Sequence, residues 1–512
     1  MKKNRLVLVI FMVATIMIFI GCKKEPPAAT QLVVEIFDRG TDGGRSLPYD
    51  NAWTNWVKEK LKKDLNIDIT YLPVGRWSEQ TDLSNLMASQ SAPDLCYSYA
   101  TDMISAFRDM GGVLDFSPHI DKYLPDLKKL LGEDPVFKGK DFIYRNADPQ
   151  TGKIYSIPSA RVALAQRNVF IRKDWVDKLG LPLPTTIEQL HDTLVAFRDR
   201  DPGNVGKNTV VPLFTGDVQW GLGTLIRHSV DVNISDRDRW VYSVHERNIM
   251  MPGYKEGVRR MNQWFNEGLI YPDWPLLQGE DGNNILKRGI AGAFSGNWDT
   301  PYQTNSLINE ELVKSIPGAE FVPLDLAVNN KDMMDKVGLQ IFIPAFSKNY
   351  VAALQYLNWL AKPENYHFLQ VGQEGVNHVL ENGVPRIIAA TGPWIQNSPQ
   401  NLDMTMPLNG VEMGSQELNS RVLALSYGNT PAETIVNAYA LSVKNARAPA
   451  AYQTTTKVNQ YAQALQEKAD ALTAQAIRAT PAQFDSVWDE GVKDWLSSGG
   501  QEVINERASL YK

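Results

Sequence analysis

Few residue types in this chain are spaced for covalent or metal chemistry. The two cysteines, Cys22 and Cys96, could form a disulfide only if both persisted as free thiols in one folded body. The six histidines (119, 191, 228, 245, 367 and 378) are scattered, with no pair at i, i+4, so no zinc-binding helix face is encoded. There is no GxSxG elbow, HExxH, GxxxxGK[ST] loop or CxxC. The 58 Asp and Glu can always supply two carboxylates for glycoside hydrolysis, so composition neither excludes nor supports that reaction. The abundant chemistry is non-covalent. Thirteen Trp, 19 Tyr and 17 Phe provide flat amphipathic rings that build cores and can also stack on sugar faces.

Charge narrows the partners. With 52 Lys and Arg against 58 acids, the formal charge of -6 creates no basic field, and a nucleic-acid role is not expected. The length of 512 residues allows two or more lobes and a large core.

The N-terminus decides the fate of Cys22. Residues 1–5 (MKKNR) are basic, residues 6–20 are apolar apart from Thr15, and Gly21-Cys22 follows in MIFIGCKKEPP. Such a run falls short of the ~20 residues of a comfortable membrane span but has the length and flanks of a signal peptide. A small residue before Cys at its end resembles the bacterial lipobox, with Phe19 where that pattern prefers Leu. The expectation is therefore a lipoprotein signal peptide over 1–21, a diacylglycerol on Cys22, and a charged, proline-containing tether over 22–30. Cys96, in APDLCYSYA, then has no partner and reads as a buried small apolar residue at the end of a strand.

Along the rest of the chain, apolar periodicity alternates between strand and helix. QLVVEIF (31–37) and NIDITYLPV (66–74) read as strands, with a helix through Trp53, Trp56, Val57 and Leu61 between them. A helix over Leu83, Leu86 and Met87 stops at Pro93-Asp94, and LCYSY extends. Strands are expected at 154–157 and 169–171, a short helix at 174–179, and a cap at Thr185-Thr186 with Glu188 near the position of a capping box. VVPLFTG (210–216), GIAGAFSGNW (289–298) and LQIFIPAFS (339–347) continue the strands. Helices are expected around 257–266, over 350–360 and through most of 458–512. This alternation predicts α/β lobes with partly parallel pairing.

The run GKIYSIPSA...VFIRKDWVDKLGLPLPTTIEQL resembles the signature of family 1 extracellular solute-binding proteins of ABC importers. GGVLDFSPHIDKYLP (111–125), WFNEGLIYPDW (264–274), GIAGAFSGNW, FIPAFSKNYVAALQYLNWLAKPE and WLSSGGQEVINERASLY resemble further family segments in order. The similarity covers nearly the whole mature chain and is greatest to large lipid-anchored, carbohydrate-binding members.

This resemblance implies an α/β, two-lobe periplasmic-binding-protein-like fold of type II, with a ligand cleft between lobes that close about a hinge. Lobe 1 is expected over 31–160 and 345–400, lobe 2 over 161–344 and 401–512, with chain crossings near 158–168, 340–346 and within 395–430. It implies a monomeric binding subunit, not an enzyme, without cofactor or metal. The subunit would be anchored on the outer side of the cell membrane and would deliver a small solute, expected to be an oligosaccharide, to permease subunits. A surface glycoside hydrolase, an adhesin, or a binder of peptide or another non-sugar solute are the competing readings.

A cleft on this fold would be built from loops at strand C-termini, using rings to stack and polar groups to orient the ligand. The ligand-binding candidates, each just beyond an apolar run, are Tyr97 and Tyr99, Arg161, Asp217 and Trp220, Asn297, Trp298 and Asp299, and Glu374 with Asn377. Any one of the rings could equally be lobe core. Asp174-Trp175 reads as a helix start with a packed ring, and the charges of 172–177 as a surface or lobe-packing network.

Overall fold

The computed structural model describes residues 28–40, 47–135, 139–148, 151–217, 221–244, 247–277, 281–303, 306–388, 392–394, 401, 403–428, 430–450 and 455–510. The expected signal peptide with Cys22 and Trp220 lie outside these residues.

Twelve strands are formed: β1 (Thr30–Asp38), β2 (Ile67–Gly75), β3 (Cys96–Ser98), β4 (Ile157–Arg161), β5 (Arg167–Arg172), β6 (Val211–Phe214), β7 (Ala291–Asn297), β8 (Phe321–Pro323), β9 (Val337–Phe342), β10 (His378–Glu381), β11 (Val384–Ile387) and β12 (Leu408–Asn409). β1 and β2 run parallel from Thr30↔Ile67 to Asp38↔Gly75. A parallel bridge, Val34↔Leu95, ties them to the sheet ordered β12-β4-β9-β3. The other large sheet is β6-β7-β5-β8, and β10 and β11 form an antiparallel hairpin.

Each sheet has its own core, because each presents an apolar face that helices cover. On the first, the helices Ala52–Leu65 and Tyr350–Leu360 bury Trp53, Val57, Leu61, Leu354, Leu357 and Trp359 against Leu32, Val34 and Ile69. On the second, Ile187–Arg200, Tyr254–Asn266 and Thr456–Arg478 bury Leu190, Leu194, Val258, Met261, Leu465 and Leu472 against Val169 and Ile171. The opposite side of that sheet packs Phe170 and Phe294 on Ile435 and Ala438.

Helix starts follow local chemistry. Asn51 Oδ1 accepts from the Trp53 and Thr54 amides at 3.0 and 3.1 Å, and Thr54 Oγ1 accepts from the Asn51 amide at 2.9 Å, a reciprocal cap. Thr186 caps the helix Ile187–Arg200 by accepting from the Gln189 amide at 3.2 Å, Gln189 Oε1 accepts from the Thr185 amide at 2.8 Å, and the Glu188 carboxylate also bonds the Thr186 hydroxyl.

Two expected boundaries are corrected. β9 hydrogen-bonds to β3 and β4, so 337–342 belongs to the first sheet rather than to the second lobe. Met404, Met406 and Leu408 likewise join the first core, although 401–512 was expected in the second lobe. The chain passes between the two sheets at 162–166 and 324–336, so the second crossing falls before β9 and not at 340–346. It leaves the first sheet again after β12 through the helix Gln416–Leu425, where Val422 packs on Val384 and Ala424 joins the core of the second sheet. An apolar run announces a strand, and its neighbours in the sheet depend on the whole packing.

Cys96 is a buried free thiol as expected, but it opens β3 instead of ending a strand, because the extended run continues through Ser98; burial pushes its pKa up. No helix among the described residues is long and apolar enough to cross a membrane.

The cleft at the three crossings

The walls of a cleft of ≈ 490 Å³ come from the ends of β1, β4, β7 and β12 and from all three crossings. This is the position outside strand C-termini where open α/β sheets bind ligands.

β7 delivers one wall. Its last residue, Asn297, is exposed, and the chain then turns through Trp298 and Asp299. The turn is held from two sides: the Trp298 amide donates to Gln166 O at 3.0 Å, and Asn168 Nδ2 donates to Trp298 O at 3.3 Å. The Trp298 ring meets Tyr439 edge-on with centroids 5.4 Å apart, and Tyr427 at 6.0 Å. Such edge-to-face packing fixes the indole in one orientation.

Asp299 follows in the same turn. Its Oδ2 accepts from Tyr427 Oη at 2.6 Å, and its Oδ1 from Gln303 Nε2 at 2.9 Å. Burial raises the Asp299 pKa from its ordinary value, against the lowering effect of these two donors. Burial and the neighbouring carboxylate push the Tyr427 phenol well up, so it remains a donor.

The helix Ala432–Val443 is stitched to the first crossing. Tyr439 Oη accepts from the Leu164 amide at 3.2 Å, while Ser442 Oγ accepts from the Gln166 amide at 3.0 Å and donates to Arg167 O at 3.1 Å.

The facing wall comes from the first sheet. Arg39, just past β1, makes a bidentate pair with the buried Asp403 at 2.8 and 2.7 Å. Burial alone would lower the guanidinium pKa, but the hydrogen bonds and charge of Asp403 more than reverse this and keep Arg39 cationic. Arg161 ends β4 and donates through Nη1 to Val337 O at 2.6 Å and Asp335 O at 3.2 Å. Asn409 Nδ2 donates to Tyr99 Oη at 3.0 Å. Gly410, with φ +132°, lets the chain leave β12 against Val162, whose Cβ would lie 2.8 Å from an added Cβ.

Of the residues singled out from sequence, Arg161, Asn297, Trp298 and Asp299 are brought together here. Tyr99 stands behind the first wall, reaching it through Asn409. Tyr97 does not line the cleft: it is fully buried, and its hydroxyl accepts from the Phe37 amide at 3.0 Å. Asp217 lies past β6, where its carbonyl accepts from Thr215 Oγ1, and it is not in the lining. Glu374 and Asn377 lie apart, in the turn before β10; Glu374 is exposed, and Asn377 Oδ1 accepts from the Gln373 amide at 2.9 Å.

Arg39, Gln166, Gln303, Asn409, Tyr427 and Tyr439 were not anticipated. Arg39 carries the same signal as Arg161, a polar residue directly after an apolar strand. The two tyrosines carry none, since Tyr439 reaches the cleft from a helix and Tyr427 from the turn after one, not from a strand end. Among the described residues, no group of three or more His, Cys, Asp or Glu is arranged to hold a metal ion.

The family model for bacterial extracellular solute-binding proteins matches residues 45–367. The fructooligosaccharide ABC transporter substrate-binding protein FusA of Streptococcus pneumoniae serotype 4 is 28% identical over 287 residues, 52% of this chain but only 47% of that protein's length. The polygalacturonan/rhamnogalacturonan-binding protein YtcQ of Bacillus subtilis strain 168 is 21% identical over 541 aligned residues, covering 100% of this chain and 99% of its own. The structure of the S. pneumoniae FusA protein in complex with kestose superposes with a TM-score of 0.67 at 17% identity, covering 94% of this chain and 98% of that one. At that identity the likeness establishes a shared fold.

Proposed function

Because the chain belongs to the bacterial extracellular solute-binding protein family, we propose that it is the lipid-anchored extracytoplasmic binding subunit of an ABC importer, that it takes an oligosaccharide into the cleft, and that it delivers it to the permease. The observation that carries this reading is the lining: the Trp298 ring braced by two tyrosines, with Asn297, Asp299, Arg39, Arg161 and Asn409 around it. Rings exclude water above a sugar while amides, carboxylates and guanidinium groups bond neighbouring hydroxyls. The binding proteins named for fructooligosaccharide and for polygalacturonan support the saccharide class.

Binding is favoured over hydrolysis by the carboxylates. Among the described residues lining the cleft, Asp299 is the one acid, and canonical glycoside hydrolysis takes two. In this reading the bodies built on the two sheets close on the ligand by hinge rotation at 162–166, 324–336 and the chain that follows β12. The protein works as a monomer held at the outer face of the membrane through Cys22.

Calorimetric titration together with small-angle scattering tests this, using sucrose, kestose, nystose and galacturonic acid di-, tri- and tetramers. The expected result is saturable binding of an intact sugar with a smaller radius of gyration. Turnover of the sugar, or binding without compaction, overturns it.

A further inference from the structure

Trp77 is the most exposed large apolar side chain among the described residues, at 80% relative accessibility. An indole so placed keeps a large flat apolar face in water, open to a ring that would stack on it. It is also held in place. The Arg76 guanidinium lies over the Trp77 ring at 5.0 Å from the centroid, over Tyr99 at 4.5 Å and over Phe37 at 5.3 Å. Arg76 Nη1 donates to Glu79 Oε2 at 2.8 Å, and Glu79 Oε1 accepts from Ser98 Oγ at 2.8 Å and the Tyr99 amide at 3.1 Å. The cation therefore presents the indole from a braced base.

The position of this stack matters. Gly75 pairs with Asp38 at the C-terminal ends of the parallel strands β1 and β2, and the Arg76 amide donates to Asp38 O at 2.9 Å. The residue after Asp38 is Arg39, which lines the cleft, and Tyr99 beneath Arg76 accepts from Asn409, which also lines it. Trp77 thus stands on the first-sheet rim, one layer of side chains out from the cleft wall.

The geometry points to Trp77 as an outer stacking platform for a sugar ring, so that the ligand is an oligosaccharide running from the cleft over this rim. This rests on the saccharide reading above. Trp298 serves the unit inside the cleft and Trp77 a later unit of the same chain. A monosaccharide or disaccharide seated in the cleft does not reach it.

The test is titration of the unmutated protein and of Trp77→Ala and Trp77→Phe with two ladders: sucrose, kestose and nystose, and galacturonic acid di-, tri- and tetramers. Trp77→Ala should leave the disaccharide affinity unchanged and weaken the longest bound member about three- to tenfold, the size of one aromatic stacking contact. Trp77→Phe should retain most of that affinity. An equal change at every length, or none at any, removes Trp77 from the site while leaving the saccharide reading standing. Failure of the unmutated chain to bind either ladder overturns both.

Discussion

Tyr427 donates its phenolic hydrogen to Asp299 Oδ2 at 2.6 Å, across 128 residues of chain. The bond ties the turn after the helix Gln416–Leu425 to the end of β7, and it opposes the rise that burial gives the pKa of the one carboxylate among the described residues of the lining. Tyr427→Phe should cost about 1–3 kcal/mol, because a largely buried acceptor loses a strong donor. Its pH dependence follows from sign. Tyr427 lowers a pKa that burial has raised, so its loss raises the Asp299 pKa further. A raised carboxylate pKa contributes stability below the unfolded value that disappears as pH rises through the folded one. The deficit of Tyr427→Phe should therefore widen from acidic to neutral pH in urea unfolding. A deficit independent of pH would detach the phenol from the carboxylate.

Trp298→Ala should weaken saccharide binding by about 1–3 kcal/mol, the effect of removing a ring from a desolvated pocket. The same change opens a hole between Tyr427 and Tyr439 and should lower stability by roughly 3 kcal/mol. Trp298→Phe, which keeps a ring against both tyrosines, should recover most of the stability and only part of the affinity. Unchanged titration curves for both variants would exclude the indole as a ligand contact.

Glu35, within β1, has a wholly buried side chain, with Oε2 accepting from the Tyr97 amide at 2.9 Å. Desolvation raises its pKa well above the ordinary glutamate value, the Tyr97 hydrogen bond opposing only in part. The stability this contributes is full below the ordinary value and is lost as pH rises toward and through the folded value. Glu35→Gln does not titrate. It should match the parent protein in acid and exceed it in melting temperature at neutral and mildly alkaline pH. Melting curves that run parallel at all pH values would contradict this.

Cys22→Ala should release the protein from the membrane into the medium, and mass spectrometry of the parent should find a diacylglycerol on an N-terminal Cys22. Equal membrane retention of the variant would rule out the anchor without touching the binding site.

Much of the fold is legible locally. The apolar helix Tyr350–Leu360 and the strand around AGAFSGN lie where periodicity puts them, because burial pattern and capping act over a few residues. The rule that ligands meet polar residues just past strands brought Arg161, Asn297, Trp298 and Asp299 to one cleft. It failed at Tyr97 because β3 is only three residues long and all of it is buried, so the ring packs on Phe37 with centroids 4.7 Å apart. It also passed over Arg39, whose position after β1 satisfies it.

What the chain determines on its own is the set of strands and helices, their caps, and the residues offered at strand ends. Each follows from the 2- and 3.6-residue periods and from short-range hydrogen bonds. Tertiary structure alone decided that β9 lies between β3 and β4, that Asp403 pairs with Arg39, and that Tyr427 and Tyr439 brace Trp298. A strand edge can bond any complementary edge, and a buried charge any opposite one. The selection among them is made by the packing of two complete cores, which no local window of sequence contains.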